Sequence, residues 1–211
     1  MSDERRFYEA PAQGQRRSAP AALRNREPIA EVLAEWLPPR GTVLEIASGT
    51  GEHVTYFAER FPALEWHPSD IHPDALESIG SWRSAAGFAN IAPPLALDAS
   101  APDWPIERAD AVLSINMVHI SPWRSALGLI AGAARILPSG APLILYGPWL
   151  ADDIALAPSN VAFDADLRRR DPQWGLRRVE EFTAAAAERG LIFENRRAMP
   201  ANNLMLHFRR R

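Results

Sequence analysis

A chain of 211 residues, 47% of them hydrophobic, suits one α/β domain with room for an arm and an insertion. A net charge of −3 gives no general drive towards nucleic acid. The absence of cysteine excludes disulfides, thiolate metal sites and cysteine nucleophiles, and no apolar run reaches the roughly 18 residues of a membrane span.

The N-terminus lacks an apolar segment after Arg5-Arg6, so no signal peptide is expected and the chain reads as cytoplasmic. Residues 1–19 read as a polar, extended arm. Ser18-Ala19-Pro20 resembles a helix start, and Pro28 either kinks that helix or opens a second one. Ile29, Val32, Leu33, Trp36 and Leu37 recur at helical spacing until Pro38-Pro39-Arg40-Gly41 ends the run. Residues 1–38 are thus expected as an N-terminal arm and helices, and 39–211 as the main domain.

From Val43 the chain alternates strand and helix. Strands are expected at Val43–Ala47, Leu64–Ser69, Ile91–Leu97, Ala109–Ile115 and Pro142–Tyr146. Helices are expected from Gly51 to about Phe61, from Pro73 through Leu76, Ile79 and Trp82, and from Pro122 to Leu137. Such alternation argues for a doubly wound, mostly parallel sheet with helices on both faces. Residues 147–177 break the rhythm as a long insertion, and insertions of that length in compact domains are commonly functional. A helix at about 179–189 and two antiparallel strands at about 191–198 and 204–210 complete an expected seven-stranded sheet.

Val43–Ala47 runs into Ser48-Gly49-Thr50-Gly51, a strand, a glycine turn and a helix start. That arrangement offers bare backbone N–H groups to a ligand at the strand's end. Polar residues stand near the ends of the first four strands: Glu45, Asp70, Asp98 and Asn116. In an open parallel sheet these ends border one crevice, so a nucleoside-type ligand is expected there. Each carboxylate alone also reads as a helix or turn cap. The loop lacks the Lys and Ser/Thr of a phosphate-cradling loop and the third glycine of a dinucleotide fingerprint, since Glu52-His53 and Val54 follow Gly51. Glu45 before the loop would repel phosphate and suits a cationic group instead.

Glu45-Ile46-Ala47-Ser48-Gly49-Thr50-Gly51 resembles the first motif of class I S-adenosylmethionine-dependent methyltransferases, with Ala47 where many carry the first glycine. Further stretches resemble one family of that class, methyltransferase-like proteins long catalogued as a domain of unknown function. They include Trp66-His67-Pro68-Ser69-Asp70, Ile115-Asn116-Met117-Val118-His119, Tyr146-Gly147-Pro148, Ala157-Pro158-Ser159-Asn160, Arg170-Asp171-Pro172-Gln173-Trp174-Gly175 and Pro200-Ala201-Asn202-Asn203. The resemblance implies S-adenosyl-L-methionine as cofactor. It gives Ala47, Ser48, Gly49, Thr50 and Gly51 to the methionine part, Glu45 to the amino group, and Asp70 with Ile71 to the ribose. Asp98 with Ala99 falls to the adenine, Asn116 with Met117 to the region near the sulfur, and Arg24 with Asn25 to a closing segment, Arg24 being a candidate for the cofactor's carboxylate.

The family's substrate is unsettled, so the acceptor is read from the residues. His119 and Tyr146, just past two strand ends, are the candidates for proton removal or orientation. Ser159, Asn160, Asp164 and Arg168 of the insertion, with Asn202, Asn203 and Trp149, are expected to line a substrate pocket, although Asn and Ser also suit ordinary turns. Asn160, Asp164 and Arg168 fall on one helical face, with Arg168 suited to an acidic group. The expected function is methylation of a small polar molecule, with carboxylate-bearing molecules among the candidates. The competing readings are a tRNA or protein methyltransferase using the arginine runs, and a non-catalytic cofactor-binding scaffold. His67, Asp70 and His72 could imitate metal ligands, but Asp70 is wanted elsewhere and no metal is expected. The oligomeric state is left open by the sequence.

Overall fold

The structure, a computed structural model, describes residues 16–211. The part of the expected arm before Arg16, including Arg5-Arg6, lies outside the described residues. A first helix, α1 (Pro20–Trp36), starts with proline at its first turn and runs unbroken through Pro28. Pro28 removes one backbone N–H but opens no second helix. Ile29, Ala30, Val32, Leu33 and Trp36 bury the half of the helix beyond it, and that burial holds the chain helical.

The strands β1 (Gly41–Ile46), β2 (Leu64–Asp70), β3 (Leu95–Ala96), β4 (Ala111–Ile115), β5 (Pro142–Gly147), β6 (Leu191–Met199) and β7 (Asn203–Arg210) form one sheet. Its order is β3-β2-β1-β4-β5-β7-β6. β1 to β5 pair in parallel, and β7 pairs antiparallel with both β5 and β6. This is the seven-stranded, doubly wound architecture with an antiparallel C-terminal strand that the alternation predicts. The strand order reverses between β1 and β4, so the crevice of an open sheet lies at their carboxyl ends.

Alternation along each strand feeds two apolar layers. Val43, Leu113 and Ile144 face Ile29, Leu33, Val54 and Phe57 of α1 and α2 (Glu52–Arg60). Leu44, Val112 and Leu143 face Leu129, Ile130 and Phe182 of α4 (Trp123–Ile136) and α6 (Val179–Glu188). The helix α3 (Pro73–Ala86) packs beside α2. Among the described residues, no helix is long and apolar enough to cross a membrane.

One strand is much shorter than its sequence suggests. Ile91–Leu97 is expected as strand, yet only Leu95 and Ala96 pair, with Ser69 and Asp70, and Ile91 makes a lone bridge to Trp66. Pro93 and Pro94 have no N–H for a ladder, so the edge breaks between the two contacts. The long insertion is not structureless either: it holds α5 (Pro158–Arg170).

Candidate functional site

The loop after β1 is shaped by left-handed backbone. Ala47, Gly49 and Gly51 have φ of 59°, 59° and 90°. A side chain at Gly51 would put its Cβ 2.9 Å from the Ile79 Cα, so glycine lets α3 lie against the loop. Ala47 holds the same left-handed geometry with a methyl group, at roughly 1–2 kcal/mol of strain. The loop is stitched to its neighbours by the Ser48 N–H, which donates to the Ser69 carbonyl at 2.7 Å, and by the Ser78 hydroxyl, which donates to the Thr50 carbonyl at 2.7 Å.

The two strand-end aspartates are fixed by backbone. Asp70 accepts the Gly49 N–H and the His72 N–H, one on each oxygen, both at 3.0 Å. Burial raises its pKa, and those N–H donors oppose the rise. Asp98 accepts the Ser100 N–H and hydroxyl, both at 2.8 Å, on one oxygen. Gly128 of α4 lies so close to this turn that an added Cβ would stand 2.2 Å from the Ala99 carbonyl oxygen. Around these groups opens a cleft of about 520 Å³, in the range of small-ligand sites. Of the residues expected to hold a cofactor, Ala47, Gly49, Asp70, Ile71, Asp98, Ala99 and Met117 line it. Ser48, Thr50 and Gly51 lie in the loop beneath.

Glu45 is buried on β1 behind the loop, with Oε2 lacking any partner, and neither it nor Asn116 lines the cleft. Burial, aided by the nearby Asp70 charge and opposed by Ser48, pushes its pKa up to about 7. A buried carboxylate with a vacant oxygen is suited to an incoming cation, which would return it to the charged form. Asp70, held by two N–H groups, keeps lone pairs for a pair of neighbouring hydroxyls.

The chain before β1 is tied to this loop by residues that sequence reasoning did not single out. Glu52, read from sequence only as a departure from the phosphate-loop motif, accepts the Ser18 hydroxyl at 2.7 Å and the Ala19 N–H. Arg17 pairs with Asp74, and the Trp82 indole N–H donates to the Arg17 carbonyl at 2.8 Å. Asn25 takes the His53 Nε2 at 2.8 Å and also hydrogen-bonds Tyr146. Burial holds His53 near pKa 4, so it is neutral and donates to the amide oxygen. Arg24 is exposed, close enough for its charge to oppose the burial-driven rise of the Tyr146 pKa. Neither Arg24 nor Asn25 lines the large cleft.

Beyond the large cleft lies a junction at the ends of β4 and β5. Asn116 is left-handed at φ 63°, and its N–H donates to the Tyr146 carbonyl at 2.8 Å. His119 is 1% exposed, with neither ring nitrogen partnered. Its ring meets Trp149 edge-on with centroids 4.9 Å apart. Burial and the Arg177 charge depress its pKa to about 3, so the imidazole is neutral. A Cβ at Gly147 would fall 2.4 Å from His119 Nε2 and 3.1 Å from Asn116 Oδ1.

The residues expected to bind substrate divide into two groups. Trp149, Asn160, Asn202 and Asn203 line a second cleft of about 380 Å³ beyond β5, β7 and β6. Ser159 sits at its margin, receiving the Asn202 side-chain amide at 3.1 Å. Asp164 and Arg168 line neither cleft. Asp164 accepts the Leu176 N–H at 2.7 Å and the Arg168 Nε at 2.9 Å. An added Cβ at Gly175 would touch both. The pair therefore clamps the turn after α5, and Arg168 is already matched by a carboxylate of its own chain. That turn delivers Gln173 and Trp174 to the wall of the large cleft, so the insertion serves both cavities.

The arginine runs are likewise largely engaged. Arg169 and Arg170 pair with Asp166, Arg178 with Asp152, and Arg209 with Glu194. Arg177 donates to the carbonyls of Ser121 and Gln173 at 2.9 and 2.6 Å.

The fold recurs in solved structures. An O-methyltransferase family protein from Burkholderia thailandensis is 19% identical, with a TM-score of 0.76 over 90% of this chain and 57% of that one. Mitomycin 7-O-methyltransferase MmcR is 18% identical, with a TM-score of 0.77 over 90% of this chain and 54% of that one. An O-methyltransferase family 2 protein from Planctomyces limnophilus, solved with apigenin, is 18% identical, with a TM-score of 0.74 over 90% and 60%. The chain thus spans between half and two thirds of the length of these proteins. At such identities the likeness is one of fold. In sequence, residues 16–210 match the family described as "Protein of unknown function (DUF938)", and the chain belongs to that family.

Proposed function

We propose that this protein is an S-adenosylmethionine-dependent methyltransferase acting on a small molecule. The observation that carries the reading is the large cleft at the switch point of the sheet. It combines a left-handed loop of bare N–H groups with the backbone-fixed Asp70 and Asp98, and the buried Glu45, its Oε2 unpartnered, lies behind that loop. In this reading Glu45 meets the amino group of the cofactor, the turn from Ala47 to Gly51 passes its methionine part, Asp70 with Ile71 takes the ribose hydroxyls, and Asp98 with Ala99 meets the adenine. When bound, the cofactor supplies a methyl group already activated on a sulfonium.

The protein's own task is then to orient an acceptor, exclude water and deal with a proton. Asn116, Met117, His119 and Tyr146 border the place where this happens. His119 is neutral with a pKa of about 3, and burial raises that of Tyr146. Neither is tuned to take a proton at neutral pH, so both act by orienting the acceptor. In the same reading the α1 segment, which stands outside the cleft lining, closes over the methionine end on binding, with Asn25 and Arg24 as the residues that would meet it.

The test is to incubate the protein with methyl-labelled S-adenosylmethionine and a cell extract divided into small-molecule, RNA and protein fractions. Label is expected in the small-molecule fraction and is expected to vanish with Gly49→Arg. Label in the RNA or protein fraction would transfer the reading to a macromolecular acceptor. No transfer from wild-type protein that nonetheless binds the cofactor would leave a scaffold.

A further inference from the structure

The second cleft lies on the same sheet edge as the first. Gly147 at the end of β5 is opposite Leu204 at the start of β7, and Met199 at the end of β6 is opposite Asn203. Between the two clefts stand Asn116, His119 and Gly147, and Trp149 is shared between His119 and the second cleft.

The walls of this second cavity are apolar: Trp149, Ile154, Leu156, Met199 and Leu204. Ile154 and Leu156 are each 44% exposed, an unfavourable arrangement unless something covers them. Its polar groups have a fixed sense. The Asn160 Nδ2 donates to the Asn202 backbone carbonyl at 3.0 Å, and the Asn203 Nδ2 donates to the Pro200 carbonyl at 3.0 Å. A carbonyl can only accept, so both amide nitrogens are fixed and both amide oxygens are turned elsewhere. Asn160 is only 7% exposed, and its oxygen has no partner in the chain. The Trp149 indole N–H is also buried without a partner, so the cleft offers one free donor beside these acceptors on an apolar surface.

Its charges cancel. Arg178, the cation in the lining, pairs with Asp152, and nearby Arg196 pairs with Asp153. A carboxylate ligand would find a single indole donor, repelling amide oxygens and a cation already neutralised. An ammonium ligand would find no free carboxylate. Either charge would be desolvated among apolar walls without compensation. A hydroxyl satisfies the amide oxygens at no such cost.

We propose that the second cleft binds the methyl acceptor, and that this acceptor is an uncharged alcohol or phenol with a mainly apolar body. Its oxygen bonds the methyl carbon as the carbon–sulfur bond breaks, the sulfur keeps that electron pair as S-adenosylhomocysteine, and the hydroxyl proton, made strongly acidic by the transfer, leaves to water. The assignment rests on the methyltransferase reading above. It replaces the expectation of a carboxylate-bearing substrate, because Arg168, the residue behind that expectation, is paired with Asp164.

The test is saturation-transfer NMR on protein saturated with S-adenosylhomocysteine. Matched ligands differ only at their head group: 2-phenylethanol and phenylacetate, tryptophol and indole-3-acetate, octanol and octanoate. The alcohols are expected to receive saturation at least fivefold more strongly than the carboxylates. Leu156→Asp, on an exposed position, is expected to reduce the alcohol signals at least fivefold while leaving the affinity for S-adenosylhomocysteine unchanged. Carboxylates as strong as alcohols, no alcohol signal, or alcohol signals indifferent to Leu156→Asp would overturn the assignment while leaving the methyltransferase reading in place. Failure of S-adenosylhomocysteine itself to bind would bring down both.

Discussion

Along one sheet edge, the cleft beyond β1 and β2 is walled by backbone N–H groups and fixed carboxylates. The cleft beyond β5 and β7 is walled by Trp149, Leu156 and Met199, with asparagine side chains among them. The first depends on where the main chain goes. Gly49 and Gly51 are left-handed, and Asp70 is held by N–H groups on both oxygens. The second depends on three separate parts of the chain, residues 149–160, Arg178 and residues 198–204, that meet only when the sheet is complete. A site built from backbone geometry has little freedom to vary its residue types. A site built from packed side chains can change its ligand by changing its walls.

The largest expected effect would break the first cleft alone. Asp70→Ala removes the proposed ribose contact and also frees the N–H groups of Gly49 and His72. Hydrogen bonds to a charged group are worth about 1.5–3 kcal/mol each, so affinity for S-adenosylhomocysteine should fall by about two orders of magnitude or more. The alcohols that bind the second cleft should still give their NMR signals.

A smaller perturbation strikes the junction between the clefts. Gly147→Ala puts a methyl group against His119 and towards Asn116. Overpacking of this kind costs about 1–3 kcal/mol, which a thermal melt should register. Methyl transfer should fall at least tenfold while cofactor affinity changes less than threefold. Equal losses in both would mean that His119 belongs to the cofactor site.

The pH dependence of stability sharpens the same contrast. Burial depresses His53, His119 and His207 to about 4, 3 and 4, so the folded state binds fewer protons than the unfolded state below pH 6.5. Their contribution is complete above pH 6.5 and is lost as pH falls towards 3. Glu45 has the opposite sign. With a folded pKa of about 7 it favours the fold below pH 4.5 and weakens it as pH rises to 7. Three histidines outweigh one glutamate between 4.5 and 6.5, so the melting temperature should peak near pH 6.5. Glu45→Gln should remove the decline above the peak.

The smallest effect is at Ala47. Replacing it by glycine relieves the left-handed strain but loosens the unfolded chain, for a net gain of about 0.5 kcal/mol. Chemical denaturation should show a slightly raised midpoint with an unchanged slope.

The geometry of the first cleft was largely readable from the sequence because its demands are local. Two glycines after a β-branched run, and acidic residues at strand ends, are consequences of one chain segment at a time. Third-strand pairing was less readable because Pro93 and Pro94 sit inside an otherwise strand-like run. Glu52, His53, Ser78 and Trp82 carried no signal as partners of the N-terminal segment. Their contacts span 28 to 65 residues and exist only after α1, α2 and α3 have packed. Helical spacing correctly placed Asn160, Asp164 and Arg168 on a common helix. It could not say that Asn160 turns to the cleft while Asp164 and Arg168 close upon the 171–176 turn.

The account stands or falls on whether the large cleft takes an adenosyl amino acid with its amino group at Glu45. Isothermal titration of the protein with S-adenosylhomocysteine at pH 7, repeated in two buffers of different ionisation enthalpy, tests this most directly. The predicted result is saturable one-site binding with release of about half a proton, since Glu45 with a pKa of about 7 is half protonated beforehand and becomes charged beside an ammonium. The proton release should disappear in Glu45→Gln. No heat of binding at millimolar ligand, or binding whose proton release survives in Glu45→Gln, would contradict it.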